Sequence, residues 1–312
     1  MRLGTASMFA AALAIVSIGV VMATSVDAEP FALGAKVCKE CHKAEYEVWE
    51  NTPHFKSFRK IHKSDKAKAI VKAVGGNKNM KRNETCVQCH YTLEGEKARA
   101  KSGPSCESCH GLASEWKDIH NDYGGAGVKR EDEDEGHRAE RYAASSASGM
   151  IWPSQKYDIA MNCMTCHGLA HPDVSGETLS VMLDAGHPLK SEFELVRYSQ
   201  GVVRHRFYPP NVLENAPMSD SELAQLFIEG QAAKLVSATA ALSKSENENY
   251  RAAQQQRIAD AVAALGNLSA GEAAKLISDP SDVNARALVE VISGQDLSGE
   301  VGDLLPSEDS YK

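Results

Sequence analysis

Four short segments carry the chemistry of this sequence: Cys38-Lys-Glu-Cys41-His42, Cys86-Val-Gln-Cys89-His90, Cys106-Glu-Ser-Cys109-His110 and Cys163-Met-Thr-Cys166-His167. Each is C-x-x-C-H, the pattern by which c-type haem is attached. The two thiols add across the porphyrin vinyl groups, and the histidine supplies the proximal nitrogen to iron. Two intervening residues let one turn of chain reach both vinyls and swing the imidazole beneath the metal. The four copies use all eight cysteines. C-x-x-C pairs also build zinc sites and thioredoxin-like redox centres, but zinc does not explain a histidine after every second cysteine. A disulfide framework explains the even count and not the repeated spacing. Four covalent haem c groups are therefore expected, attached at Cys38, Cys41, Cys86, Cys89, Cys106, Cys109, Cys163 and Cys166. His42, His90, His110 and His167 are the expected proximal iron ligands.

A sixth ligand closes a haem iron, and its absence leaves a reactive vacancy. Of the eleven histidines, His54, His62, His120, His137, His171, His187 and His205 remain for that role. His54 lies twelve residues after His42, too far along a helix to face the same iron, so it is expected at a different haem. His171 follows His167 by one helical turn and cannot reach the opposite face of that iron; a propionate contact suits it better. His187 stands in Gly186-His187-Pro188, where the proline holds the backbone, and is well placed as a distal ligand. Met150 and Met161 are alternatives that nothing in the local sequence favours.

The elements that must position these residues are mostly helical. With aromatic residues at 6% of 312, an ordinary core of this size would be thin. Four porphyrins would fill the shortage, and the haem-free chain should be largely unfolded. Pro53 should break or kink the helix that follows the first motif. Asp65 to Val74 reads as a helix stopped by Gly75-Gly76. It lies in a stretch, residues 56–82, with ten Lys and Arg against Asp65 alone, read either as a solvated face or as a docking patch for an acidic redox partner. Only sixteen residues separate Cys89 from Cys106, which holds two haems near one another. The run from Asp122 to His137, with the acidic cluster Glu131 to Glu135, reads as an exposed loop.

The chain divides into three expected regions. Residues 1–28, with Arg2, an apolar centre from Met8 to Ala23 and Val26-Asp27-Ala28, read as a cleaved export signal, an uncleaved anchor being the alternative. Residues 29–210 form the haem domain. Residues 211–312 contain no cysteine or histidine and carry seven basic against sixteen acidic residues. Capping boxes at Ser219–Glu222 and Ser269–Glu272, an alanine-rich helix from Tyr250 to Leu265 and a last helix from Asp279-Pro280 to Gly294 make this region a small acidic helical appendage. It is expected to pack on the haem domain, with oligomerisation or partner docking as the alternative. The fold class is thus mainly α, haem-packed, with little regular sheet. The location is periplasmic or extracellular, and the mature protein is not expected to span a membrane.

Cys38-Lys-Glu-Cys41-His42 with Trp49, Thr52 and His54, and Cys106-Glu-Ser-Cys109-His110-Gly111 with His120 ten residues on, resemble the tetrahaem cytochrome c-554 family over about residues 36–170. The resemblance implies haems in stacked pairs and mainly bis-histidine ligation with one five-coordinate iron. By it, His54 would be distal to the third haem and His120 to the fourth, and the second haem, on His90, would be open. This sequence has Asp158 where the family has a histidine five residues before the fourth motif. His187 is then preferred as distal ligand of the first haem, ahead of His137 and His205.

Three functions fit these residues. The first is an exported electron carrier relaying between redox protein partners. The second is a redox enzyme acting on a small nitrogen or sulfur oxide at an open iron, which would need an acid or base beside the vacancy. The third is a subunit of a haem-lined filament. The carrier is preferred, since fold-level kinship alone does not settle chemistry. No nucleic-acid partner is expected.

Overall fold

The computed structural model describes residues 29–189, 192–209 and 211–312; the expected signal segment lies outside them. Sixteen α-helices occur among the described residues, with one two-stranded hairpin, so the chain is mainly helical as expected. The haem-motif half contains α1 (Ala35–Cys38), α2 (Lys43–Asn51), α3 (Pro53–Lys60), α4 (Asp65–Val74) and α5 (Glu84–His90), then the antiparallel strands β1 (Thr92–Glu94) and β2 (Arg99–Ser102). It continues with α6 (Cys106–His110), α7 (Lys117–His120), α8 (Glu135–Ala147), α9 (Lys156–His167), α10 (Gly176–Asp184) and α11 (Leu195–Ser199). The remainder holds α12 (Asp220–Leu242), α13 (Glu248–Leu265), α14 (Gly271–Ser278), α15 (Asp282–Ile292) and α16 (Ser298–Val301).

Local sequence explains most boundaries. Thr52 stands in extended geometry between α2 and α3, its hydroxyl accepts from Phe55 N at 3.2 Å, and Pro53 takes the first helical position, where its missing N–H costs nothing. Ser64 caps α4, and Gly75, at φ 81°, ends it. Ser219 and Glu222 form the capping box of α12. The Ser269–Glu272 capping box does not form. α14 starts from Ala270 without a side-chain cap, while the Ser269 amide is taken by Glu300 at 2.5 Å. Ser281, past Pro280, caps α15, which therefore begins later than the proline suggested.

The haem-motif half contains only small apolar clusters of its own. One joins Met80, Cys86, Val87 and Tyr91 to Ala67 and Val71, and another joins Ala113, Trp116, Met150 and Trp152. The large core lies elsewhere. It runs from Tyr157 and Ala160 of α9 and Leu195 and Val196 of α11 into α12, α13, α14 and α15. α12 is buried on nearly every face, as a helix apolar all round must be. Gly230 lets it approach α11, because a Cβ there would meet Leu195 Cβ at 2.8 Å. The acidic region is thus continuous with the helix that carries the fourth motif. No helix among the described residues is long and apolar enough to cross a membrane.

Candidate functional site

The four C-x-x-C-H segments close or end α1, α5, α6 and α9, with His42 just beyond the first of these. These helices make a row whose order differs from that of the chain. α1 packs on α6, α6 on α9, and α9 on α5. The thiols follow the same order: Cys38 meets Cys106, Cys163 lies by Cys109, and Cys89 meets Cys166. In space the motifs therefore run first, third, fourth, second. No disulfide joins any of the eight cysteines among the described residues.

Each motif histidine faces one histidine from elsewhere. Ring centroids are 6.4 Å apart for His42 and His120, 6.0 Å for His90 and His187, 6.3 Å for His110 and His205, and 6.1 Å for His167 and His54. Two metal–nitrogen bonds of about 2.0 Å, plus about 1.1 Å from each nitrogen to its ring centre, make about 6.2 Å. The four gaps thus fit an iron ligated from both sides. The contacts of the other ring nitrogens point the same way. Backbone carbonyls occupy Nδ1 of His110 (Ile151, 2.9 Å), His187 (Pro188, 3.1 Å), His205 (Val203, 2.6 Å) and His120 (Lys117). Nδ1 must then donate, which leaves the Nε2 lone pair for a metal. Burial pushes His90 and His110 down to about 4, so both are neutral imidazoles at neutral pH.

Chain path explains the partners. Phe31 N donates to Ser114 Oγ at 3.0 Å and accepts Ser114 N at its carbonyl, so the stretch after the third motif runs beside the one before the first. The buried Glu107 carboxylate fastens this crossing by accepting from the amides of Leu33 (2.8 Å), Gly34 (2.7 Å) and Ala113 (2.9 Å). α7 therefore brings His120 to His42 and not to the fourth motif as the resemblance implied. α10 packs on α4, which leads into the second motif, so His187 meets His90 and not His42. His90, which the resemblance implied would hold an open iron, has the His187 imidazole 6.0 Å away. His54 comes off the start of α3 against α9 and faces His167 rather than His110; Phe193 stacks on His167 from another side at 4.3 Å. His205, placed with His137 behind His187 for the first haem, faces His110. Asn215 Nδ2 donates to Arg204 O at 2.6 Å, and Arg206 pairs with Glu222 of α12 at 2.5 Å, which fixes the backbone on both sides of His205.

The other histidines face no motif histidine. His137 Nδ1 lies 2.9 Å from Glu133 and His171 Nδ1 3.9 Å from Asp173. Glu133 is not solvated surface as its acidic cluster suggested. Its side chain is enclosed and takes two bonds from Arg141, at 2.7 and 2.6 Å, which hold it down at about 2. Arg141 also donates to the His120 carbonyl at 2.6 Å. Neither support is signalled by its neighbours along the chain, although Glu107 stands inside the third motif.

Part of the chain is similar to known proteins. A model of the family described as cytochrome c554 and c-prime matches residues 37–111. Cytochrome c-554 of Nitrosomonas europaea is 33% identical over 103 residues, covering 30% of this chain and 43% of that protein. The alignment thus spans less than half of the relative's length. No solved structure matches the chain.

Proposed function

We propose, from the membership of residues 37–111 in the cytochrome c-554 family, that this chain is an exported electron relay with four haem c groups, each held between two histidines. The family makes it a c-type cytochrome with covalent haem c; the number four and the ligand pairs are our reading. The observation that carries it is the set of four imidazole pairs at 6.0–6.4 Å, each with one member from a C-x-x-C-H motif. Haem supplies one-electron redox chemistry at each such site. The polypeptide supplies order, ligands and exclusion of water. Its motif helices form a single file, and carbonyls orient the imidazoles for Nε2 ligation.

With a histidine opposite every motif histidine, carriage is favoured over turnover of a small oxide at a vacant iron. Redox proteins are the expected partners. The exposed lysines of α4 lie at the second-motif end, where Lys66 approaches Gly186, next to His187. An acidic partner would dock there, with an on-rate that falls as salt rises.

The test is direct. Intact mass of the exported protein should exceed that of the polypeptide by four haems. The oxidised protein should be wholly low-spin, and the reduced one inert to carbon monoxide. A high-spin signal with carbon monoxide uptake in the wild type would refute the relay reading and favour the enzyme.

A further inference from the structure

Helix α13 lies outside the family-matched segment, yet one face of it grips the end of α9. Tyr250 Oη donates to the Leu169 carbonyl at 3.0 Å, and Gln254 Nε2 donates to the Gly168 carbonyl at 3.0 Å. Arg257, 2% exposed, places Nη2 3.1 Å from Met164 Sδ and donates from Nη1 to Gln254 Oε1 at 2.5 Å. Met164 sits between the two cysteines of the fourth motif, and Gly168 directly follows His167. A Cβ on Gly168 would stand 2.6 Å from Arg257 Nη1, so the guanidinium fills the space that this glycine leaves. Arg257 and His167 line one narrow cleft.

Both hydrogen-bond partners of this guanidinium are neutral, an amide and a thioether. Among the described residues no carboxylate pairs with it. Lys234 of α12, 4% exposed, is a second buried cation within range, with Glu194 and Asp260 acting on it. A guanidinium keeps its proton under all working conditions, and an uncompensated charge in the interior is costly to retain. Its field is also strong at the motif, because the guanidinium is buried and touches Met164.

We propose that Arg257 is the fixed positive charge of the fourth haem site and raises the reduction potential of the haem held by Cys163, Cys166 and His167. An arriving electron adds negative charge at the iron, and a buried cation stabilises that state over the oxidised one. The acidic C-terminal region, formally far from any cofactor, thereby tunes one site. The inference rests on the four-haem reading.

The test uses the full-length holoprotein with Arg257→Gln, Arg257→Lys and Gln254→Glu. Gln254→Glu keeps shape and sets an anion against the buried guanidinium. Intact mass and spin state first establish haem number and ligation. Potentiometric titration then reads the four sites. Arg257→Gln and Gln254→Glu should each lower a single potential, with a fall on the order of tenfold in the reduction equilibrium, about 59 mV. Arg257→Lys should stay near wild type. Four unmoved potentials in a fully loaded low-spin protein overturn the proposal. So does an equal shift in Arg257→Lys, which would make packing the cause. If Arg257→Gln does not load, Gln254→Glu decides alone. A wild-type mass short of four haems would instead sink the reading beneath it.

Discussion

Replacing His205 by alanine isolates one side chain on which the ligand scheme depends. His205 is exposed, and its backbone is held by others: Asn215 on Arg204 and Arg206, and Glu222 on Arg206. The loop should therefore stay in place after truncation. The spectroscopic change should be large. His110 would keep its bond to the Ile151 carbonyl and its metal, but the position 6.3 Å across from it would be vacated. One site in four would become five-coordinate, so about a quarter of the low-spin signal should convert to high-spin. Reduced protein should then take up carbon monoxide at about one molecule per chain. Paramagnetic resonance of the oxidised form and a carbon monoxide titration of the reduced form read these independently. His137→Ala, whose imidazole faces Glu133, serves as control and should remain inert. If His205→Ala stays wholly low-spin and binds nothing, His205 is not a ligand and the pairing argument fails at its most specific point.

Three further outcomes follow from the same contacts. Glu229, 7% exposed in α12, is raised by burial from 4.5 to about 7, with Lys156 and the Tyr157 amide opposing the shift and Asp158 adding to it. A carboxyl raised on folding stabilises below its unfolded value and loses that contribution as pH climbs through the folded one. Stability should thus decline between pH 4.5 and about 7 by roughly 3 kcal/mol, and Glu229→Gln should abolish that slope in urea melts at pH 5 and 8. Glu107→Ala leaves the amides of Leu33, Gly34 and Ala113 without their acceptor. At about 1–3 kcal/mol per orphaned buried donor, it should cost at least about 3 kcal/mol and loosen ligation at His42; a melt unchanged within about 1 kcal/mol would refute the crossing. At Gly103 a Cβ would run into the His54 carbonyl and lie 2.8 Å from Ser57 Oγ. Gly103→Ala should therefore displace α3 at a cost of about 1–3 kcal/mol and weaken the His54–His167 pair, visible as partial high-spin character.

Residues that act through neighbours in sequence were legible, and those that act across the fold were not. The haem motifs, the Thr52-Pro53 break, the helix from Asp65 to Val74 and the Ser219 cap rest on a few adjacent side chains. The proposed distal partners rest on chain path. Nothing in His120 tells that Ser114 is tied to Phe31, and nothing in His205 that Asn215 and Glu222 brace it. Arg257 was hidden for another reason. In a helix read by its apolar stripe an arginine counts as solvent-facing, and only the space left by Gly168 turns it inward. Glu133 was misread in the same way, because a run of acids looks solvated until Arg141 closes over one of them.

The last C-x-x-C-H motif of the sequence is not the last in the file, since α9 touches both α6 and α5. As the polypeptide emerges from its amino end, the first three motifs appear with their spatial sequence still incomplete. Continuity between the second motif and the other two awaits a helix made some fifty residues later, which then needs α12 and α13 to bed against. Maturation of such a chain is complete only when its carboxyl-terminal half has folded, so truncations in that half should yield cofactor-loaded fragments with an interrupted path.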